Sequence, residues 1–176
     1  MKCKIIADTS ALVSLEVVEL VPFVLKYFEI IIPQAVKSEL KEMGKYGDVH
    51  GCAAKRILDF VDNKKIIVET VSGYEKHLMS ADLRESQALE LAMNTKPDYF
   101  ISDDVECFWY LEGKFEKTVF SVFIVRVLCD LNELTEDEGW ENIEKMCERR
   151  TWAKNIIYLA AKKFWGDEFL GNLNII

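Results

Sequence analysis

Apolar positions along the first third of the chain switch between a continuous run and helical spacing. Lys4 to Ala7 is a short apolar run that stops at Asp8-Thr9-Ser10, after which Ala11, Leu12, Leu15 and Val18 recur at helical intervals. The pattern predicts a strand feeding a helix, with Thr9 or Ser10 available as cap and Asp8 at the carboxyl end of the strand. A second helix is predicted from Pro22. Phe28 to Ile32 then reads as a β-branched buried strand stopped by Pro33. Beyond Pro33, Val36, Leu40 and Met43 mark one helical face, and Glu39 falls between them on that same face. Burying a bare carboxylate is costly, so Glu39 requires a hydrogen bond, a counter-charge or a cation.

The alternation continues. Gly44, Gly47 and Gly51 punctuate a loop, 52–61 is helical, and Ile66 to Val68 is a third strand. Glu85 heads an Ala88, Leu89, Ala92 stripe, so an acid again opens an apolar helical face. Pro97 ends that helix, Tyr99 to Ile101 is a fourth strand, and Ser102-Asp103-Asp104 precedes a helix running through Phe108 and Leu111. A short fifth strand at 118–120 and helices over 122–131, 135–149 and 152–169 complete the chain. Strands alternating with helices predict an α/β fold, a three-layer α/β/α sandwich around a mostly parallel central sheet of about five strands, with C-terminal helices. Residues 1–130 are expected to form the main domain and 131–176 a helical extension packed on it. Ligands of such sheets bind beyond the carboxyl ends of the strands, where Asp8 and Asp103/Asp104 are predicted.

Composition narrows the class. The 176 residues are 50% hydrophobic and 30% charged with 8 Gly and 3 Pro, which excludes disordered, collagen-like and low-complexity chains. No apolar run approaches the ~20 residues that cross a bilayer, and Asp8 interrupts any leader-like stretch, so a cytoplasmic protein is expected. Five cysteines without a C-x-x-C pair point to reduced thiols rather than a disulfide framework or zinc ribbon. His50 and His77 are isolated, with no nucleophile motif beside them, and the glycines match no phosphate-binding loop.

The acids that remain are Asp8, Glu39, Glu85 and the Asp103-Asp104 pair. Each alone can be a helix cap, Glu39 excepted. Gathered at one sheet edge they would repel, by about 4 kcal/mol for two carboxylates ~4 Å apart at an effective dielectric near 20, unless a cation reverses the sign. Hard oxygen ligands with few His or Cys nearby favour Mg²⁺ or Mn²⁺, whose chemistry with carboxylates is phosphodiester hydrolysis.

Four segments then carry a family resemblance: Ile5-Ile6-Ala7-Asp8-Thr9-Ser10-Ala11-Leu12, Pro33-Gln34-Ala35-Val36-Lys37-Ser38-Glu39-Leu40, Glu85-Ser86-Gln87-Ala88-Leu89-Glu90-Leu91-Ala92 and Ile101-Ser102-Asp103-Asp104. In that order the chain resembles a PIN domain, from about residue 3 to residue 125. The resemblance implies an Mg²⁺- or Mn²⁺-dependent ribonuclease of the kind that includes the toxins of VapBC toxin–antitoxin pairs. It implies that Asp8, Glu39 and Glu85 are the first three acids of the site and Asp103 or Asp104 the fourth. Ser10 and Ser102 match the small hydroxyl positions that support it. The later helices resemble those of a PIN subgroup with a Gly-Glu motif; Arg84 stands where that subgroup usually has Gly, and Asp82 is near enough to assist or replace Glu85.

A net charge of −8 disfavours indiscriminate nucleic-acid binding, yet the charge is segregated. Seven basic residues against five acids occupy 33–65, whereas 130–144 carries seven acids and no Lys or Arg. Lys41, Lys45 and Arg84 are the candidate RNA contacts. The competing expectation is a PIN-like non-catalytic or weakly active RNA-binding or assembly subunit, with an antitoxin, an RNA-processing partner or a second copy covering the apolar surplus of the last helix (Ile156, Ile157, Leu159, Phe164, Trp165). A metal-dependent phosphatase or DNA nuclease is the third class, since the same acids would serve any phosphate ester.

Overall fold

The computed structural model describes residues 2–70, 83–106, 117–152 and 155–165. Five strands form one sheet: β1 (Cys3–Ala7), β2 (Phe28–Pro33), β3 (Ile66–Glu69), β4 (Tyr99–Ile101) and β5 (Thr118–Val119). Their order is β3-β2-β1-β4-β5 and every pairing is parallel. The flanking helices are α1 (Thr9–Val17), α2 (Val21–Tyr27), α3 (Gln34–Met43), α4 (Val49–Asp62), α5 (Leu83–Thr95), α6 (Ser121–Asp130), α7 (Glu136–Arg149) and α8 (Ile156–Phe164). The protein is therefore an α/β sandwich around an all-parallel sheet. The helix expected through Phe108 and Leu111 lies outside the described residues. The last helix, expected over 152–169, runs Ile156–Phe164 among the described residues, and 166–169 lie outside them.

Near-continuous apolar strands are what a sheet covered on both faces requires. Ile5, Ile6, Ala7, Ile30, Ile31, Ile32, Phe100 and Ile101 are all buried. Helix α1 is buried on every side except Ser10, so its apolar positions run all round instead of along one stripe. Its one buried acid, Glu16, is answered by Arg56 of α4, whose Nε donates to Oε1 at 2.5 Å and whose Nη2 donates to the Glu16 carbonyl at 2.8 Å. Among the described residues no helix is long and apolar enough to cross a membrane. Cys129 and Cys147 are buried and Cys52 is exposed, and burial pushes the Cys129 and Cys147 thiols up to about 11.

The last helices are locked onto the rest. Helix α7 starts in a capping box in which Thr135 Oγ1 accepts from the Glu138 N–H and Glu138 Oε2 accepts from the Thr135 N–H. Arg149 Nη1 donates to the Val17 carbonyl at the end of α1, and Trp165 Nε1 donates to the Glu136 carbonyl at 3.2 Å. At Gly139 a Cβ would stand 2.4 Å from Cys129 Sγ and 2.8 Å from Trp165 Cζ2, both buried. Gly139→Ala gains helix propensity of about 1 kcal/mol but overpacks this crossing by about 1–3 kcal/mol. A net fall in melting temperature of a few degrees is expected by calorimetry; an unchanged or higher value would show that α6, α7 and α8 do not meet this closely.

Candidate active site

Strand order places a crevice at one spot. The chain winds outward from β1 through β2 to β3, then returns to the other side of β1 to lay down β4 and β5. The reversal falls between β1 and β4, and ligands of open α/β sheets bind there, beyond the carboxyl ends. Asp8 follows β1 directly and Ser102-Asp103-Asp104 follows β4, and the Asp8 N–H donates to the Ile101 carbonyl at 3.1 Å.

Asp8 itself is the N-cap of α1, with Oδ1 accepting from the Ala11 N–H at 2.8 Å. Thr9 and Ser10, the caps expected from sequence, lie inside the first turn instead, which frees their hydroxyls for the site. Ser10 Oγ donates to both Asp8 oxygens (2.8 and 2.9 Å) and accepts from the Asp103 N–H at 2.9 Å. Ser102 Oγ donates to Asp8 Oδ2 at 2.5 Å and accepts from the Asp104 N–H at 3.0 Å. Two hydroxyls thus tie the end of β1 to the turn after β4 around one carboxyl group.

Thr9 Oγ1 donates to Glu39 Oε2 at 2.5 Å, bringing the carboxylate of α3 beside the start of α1. This is a partner that the apolar-face position of Glu39 demanded. The sequence marked Thr9 only as a candidate cap, because its contact with Glu39 joins residues thirty positions apart.

The two adjacent aspartates have different fates. Asp103 is buried at 8% exposure and turns inward, where its Oδ1 accepts from the Ser121 N–H at the start of α6 at 2.8 Å. The hydroxyls of Ser14 and Ser121 flank it and Arg150 contributes a favourable positive charge, yet Oδ2 has no well-formed hydrogen bond among the described residues. Asp104 is half-buried and its Oδ1 accepts from the Glu106 N–H at 2.8 Å. Ser14, Ser121 and Arg150 belong to this network and were not singled out from sequence.

Burial dominates the electrostatics. It pushes the Asp8 carboxyl up to about 7, against the opposing effect of the Ala11 N–H and the two serine hydroxyls, and nearby Asp103 adds to the rise. Asp103 is raised for the same reason, burial first. Burial lowers Arg150, which Asp103 and Asp8 partly offset.

The remaining expected residues fall in different places. Glu85 and Arg84 lie on α5, which packs against β1, β2 and α3, but their side chains are outside the described residues, as is Asp82. Lys41 is exposed on α3, and Lys45 is exposed with Nζ on Glu42 at 2.6 Å. Among the described residues no three His, Cys, Asp or Glu side chains stand together closely enough to hold a metal ion. The groups hydrogen-bonded around Asp8 and Glu39 nevertheless fit a hard cation in kind, being carboxylates and hydroxyls.

Solved structures resemble the fold only at low identity. A PilT N-terminus domain protein from the hyperthermophilic archaeon Sulfolobus solfataricus P2 is 14% identical with a TM-score of 0.46, over 67% of this chain and 87% of that one. A domain of a functionally unknown protein from Methanocaldococcus jannaschii is 20% identical with a TM-score of 0.47, over 67% and 90%. No curated protein matches the sequence. The family model DUF3368, described as a PIN domain, matches residues 4–166 and so takes in the sheet, the crevice and the closing helices. The chain belongs to the PIN domain family, a fold generally used by divalent-metal-dependent nucleases.

Proposed function

We propose that this protein is an Mg²⁺- or Mn²⁺-dependent endoribonuclease that hydrolyses RNA phosphodiester bonds at the β1/β4 crevice. One observation carries the reading. Asp8 is held at the switch point by two hydroxyls and a backbone N–H, in surroundings that push its carboxyl to about 7. A carboxylate built into a site that penalises its charge is stabilised by a cation and serves poorly as a mere cap. Asp8, Glu39 and Asp104 are the residues assigned to hold the metal, with Glu85 of α5 added on the resemblance alone. Asp103, turned into the protein on the Ser121 N–H, is assigned to positioning. A bound divalent ion would supply a water of lowered pKa and neutralise charge on the phosphodiester. Ser10 and Ser102 hold Asp8 with its oxygens fixed, and Thr9 fixes Glu39.

The second reading, a weakly active or non-catalytic RNA-binding subunit working with an antitoxin, an RNA-processing partner or a second copy, is favoured by the net charge of −8 and by the exposed Ile156 and Leu159 of the last helix. Incubation of an end-labelled RNA pool with Mn²⁺, with chelator, and with a Glu39→Gln protein separates the two. Metal-dependent cutting that falls at least about a hundredfold in the variant, which keeps an acceptor for Thr9, is the expected result. Metal-dependent cutting unaffected by the substitution would remove Glu39 from the site, and no cutting by wild type across RNA, single-stranded DNA and phosphomonoesters would favour the subunit reading.

A further inference from the structure

At the opposite end of the sheet from Asp8 lies an open groove of about 600 Å³. It is built where the amino ends of β1, β2 and β3 meet α2 and the end of α4. Four lysines line it, Lys2, Lys26, Lys64 and Lys65, with Glu29 the one acid among its lining residues. Glu29 is already answered by Lys4 at 3.6 Å, and Lys26 is engaged with Glu133 at 2.6 Å. Lys2, Lys64 and Lys65 have no carboxylate partner among the described residues. Lys2 Nζ instead donates to the Leu25 carbonyl, and Lys65 Nζ stands 5.7 Å from the centre of the Phe60 ring. Lys64 takes a left-handed conformation, φ 57°, which ends α4 and sets the Lys64-Lys65 pair on the rim just before β3. Beneath the ammonium groups the floor is apolar, with Leu25, Phe60 and the exposed Ile67 contributing.

On a chain of net charge −8, three ammonium groups with no carboxylate partner among the described residues, around one concavity, form a local reversal of sign. Of the other basic residues on 33–65, Lys37 meets Asp62, Lys45 meets Glu42 and Arg56 meets Glu16, while Lys41 and Lys55 stand exposed on α3 and α4, outside the groove lining. Ammonium groups over an aromatic and aliphatic floor suit a ligand that alternates phosphates with flat bases. We infer that this groove binds the backbone of single-stranded RNA as a second contact, on the far side of the sheet from the proposed cleavage crevice. The choice of RNA over another polyanion rests on the proposed nuclease function; the anion-binding character rests on the groove alone. Lys2 and Asp8 flank β1 at its two ends, so the two sites stand about 20 Å apart along the strand. A strand crossing both would be held at a distance from the cut, favouring substrates long enough to span it.

The test is binding of a fluorescent oligouridylate of about 12 nucleotides in chelator, so that no cleavage intervenes, to wild type and Lys64→Glu/Lys65→Glu proteins. Three phosphate contacts predict that log K falls with log salt at a slope near −2. The double variant should lose at least about tenfold at low salt, with a slope reduced to about −1 or less. Lys55→Glu, the same kind of charge change at an exposed α4 position outside the groove lining, should bind within about twofold of wild type. Unchanged binding by the folded double variant would overturn the inference, as would an equal loss in Lys55→Glu, which would reduce the effect to net charge. Competition by polyglutamate as strong as by RNA would overturn the assignment to nucleic acid. Cleavage measured separately reports on the crevice, so a protein that binds through the groove but never cuts would sink the nuclease reading and leave this one standing.

Discussion

Asp8→Asn is expected to melt higher than wild type at pH 8 in chelator, by about 3–8 °C, and to lose both the stabilisation by Mn²⁺ and metal-dependent RNA cleavage. The sign follows from the direction of the shift. An aspartyl pKa of 3.8 in the unfolded chain and about 7 in the folded one means that the native state holds the proton more tightly. Metal-free stability therefore falls as pH rises between about 4 and 7, and the loss is complete above 7. Three units correspond to at most about 4 kcal/mol, and the partial exposure of Asp8 argues for about 1–3 kcal/mol. Asparagine removes the ionisation. It still accepts from the Ala11 N–H, and its amide can donate to serine hydroxyls that rotate to receive it. At pH 5 wild-type Asp8 is neutral when folded but still ionises on unfolding, so the gap should narrow there and close only below about pH 4. Comparing the pair, and not wild type alone, cancels Glu16 and Asp103, which are raised in the same direction. A variant that melts lower than wild type at pH 8, with the gap unchanged at pH 5, would show that Asp8 is a structural cap and that burial is not straining its charge.

The same residue shows what the chain discloses before it is folded. Element types were legible because β1, β2 and α1 are apolar in unbroken or helical patterns, and burial on both faces is what such strands imply. Pro33 and Pro97 marked boundaries by removing a backbone donor. The demand that Glu39 find a partner was also legible from its place on an apolar face. Which partner was not, since the Thr9 hydroxyl comes from another helix and competes on paper with Ser10 for a capping role that Asp8 takes itself. The groove was invisible for a similar reason. Lys2, Lys26 and the Lys64-Lys65 pair are spread over about sixty residues, and Lys64 and Lys65 counted toward a basic segment in which the fold ties Lys37, Lys45 and Arg56 to acids. Long-range pairing, not local propensity, decides which charges remain uncompensated.

Asp103 and Asp104 are expected to separate completely, one by stability and the other by activity. Asp103→Ala removes the acceptor of the buried Ser121 N–H and a negative charge that offsets the half-buried Arg150. Breaking one side of such a buried network costs about 3–5 kcal/mol, or roughly 6–20 °C in a protein of this size. Asp103→Asn keeps an oxygen for the Ser121 N–H and removes an ionisation that burial disfavours, so it should recover the stability and much of the cleavage. Asp104→Asn, in contrast, retains an acceptor for the Glu106 N–H on a half-buried side chain, so its melting temperature should stay within about 2 °C of wild type. If Asp104 faces the metal as proposed, the variant nevertheless loses cleavage by about a hundredfold or more, together with the melting response to Mn²⁺. The reverse pattern, a stable but inactive Asp103→Asn beside an active Asp104→Asn, would assign the fourth acid to Asp103. That outcome would require Asp103 to leave Ser121 and turn toward Asp8 when the site is loaded. The Ser10 hydroxyl, which accepts from the Asp103 N–H while donating to Asp8, holds the backbone there in place for either side-chain direction. The pair of substitutions therefore discriminates between two orientations of one side chain on an otherwise fixed turn.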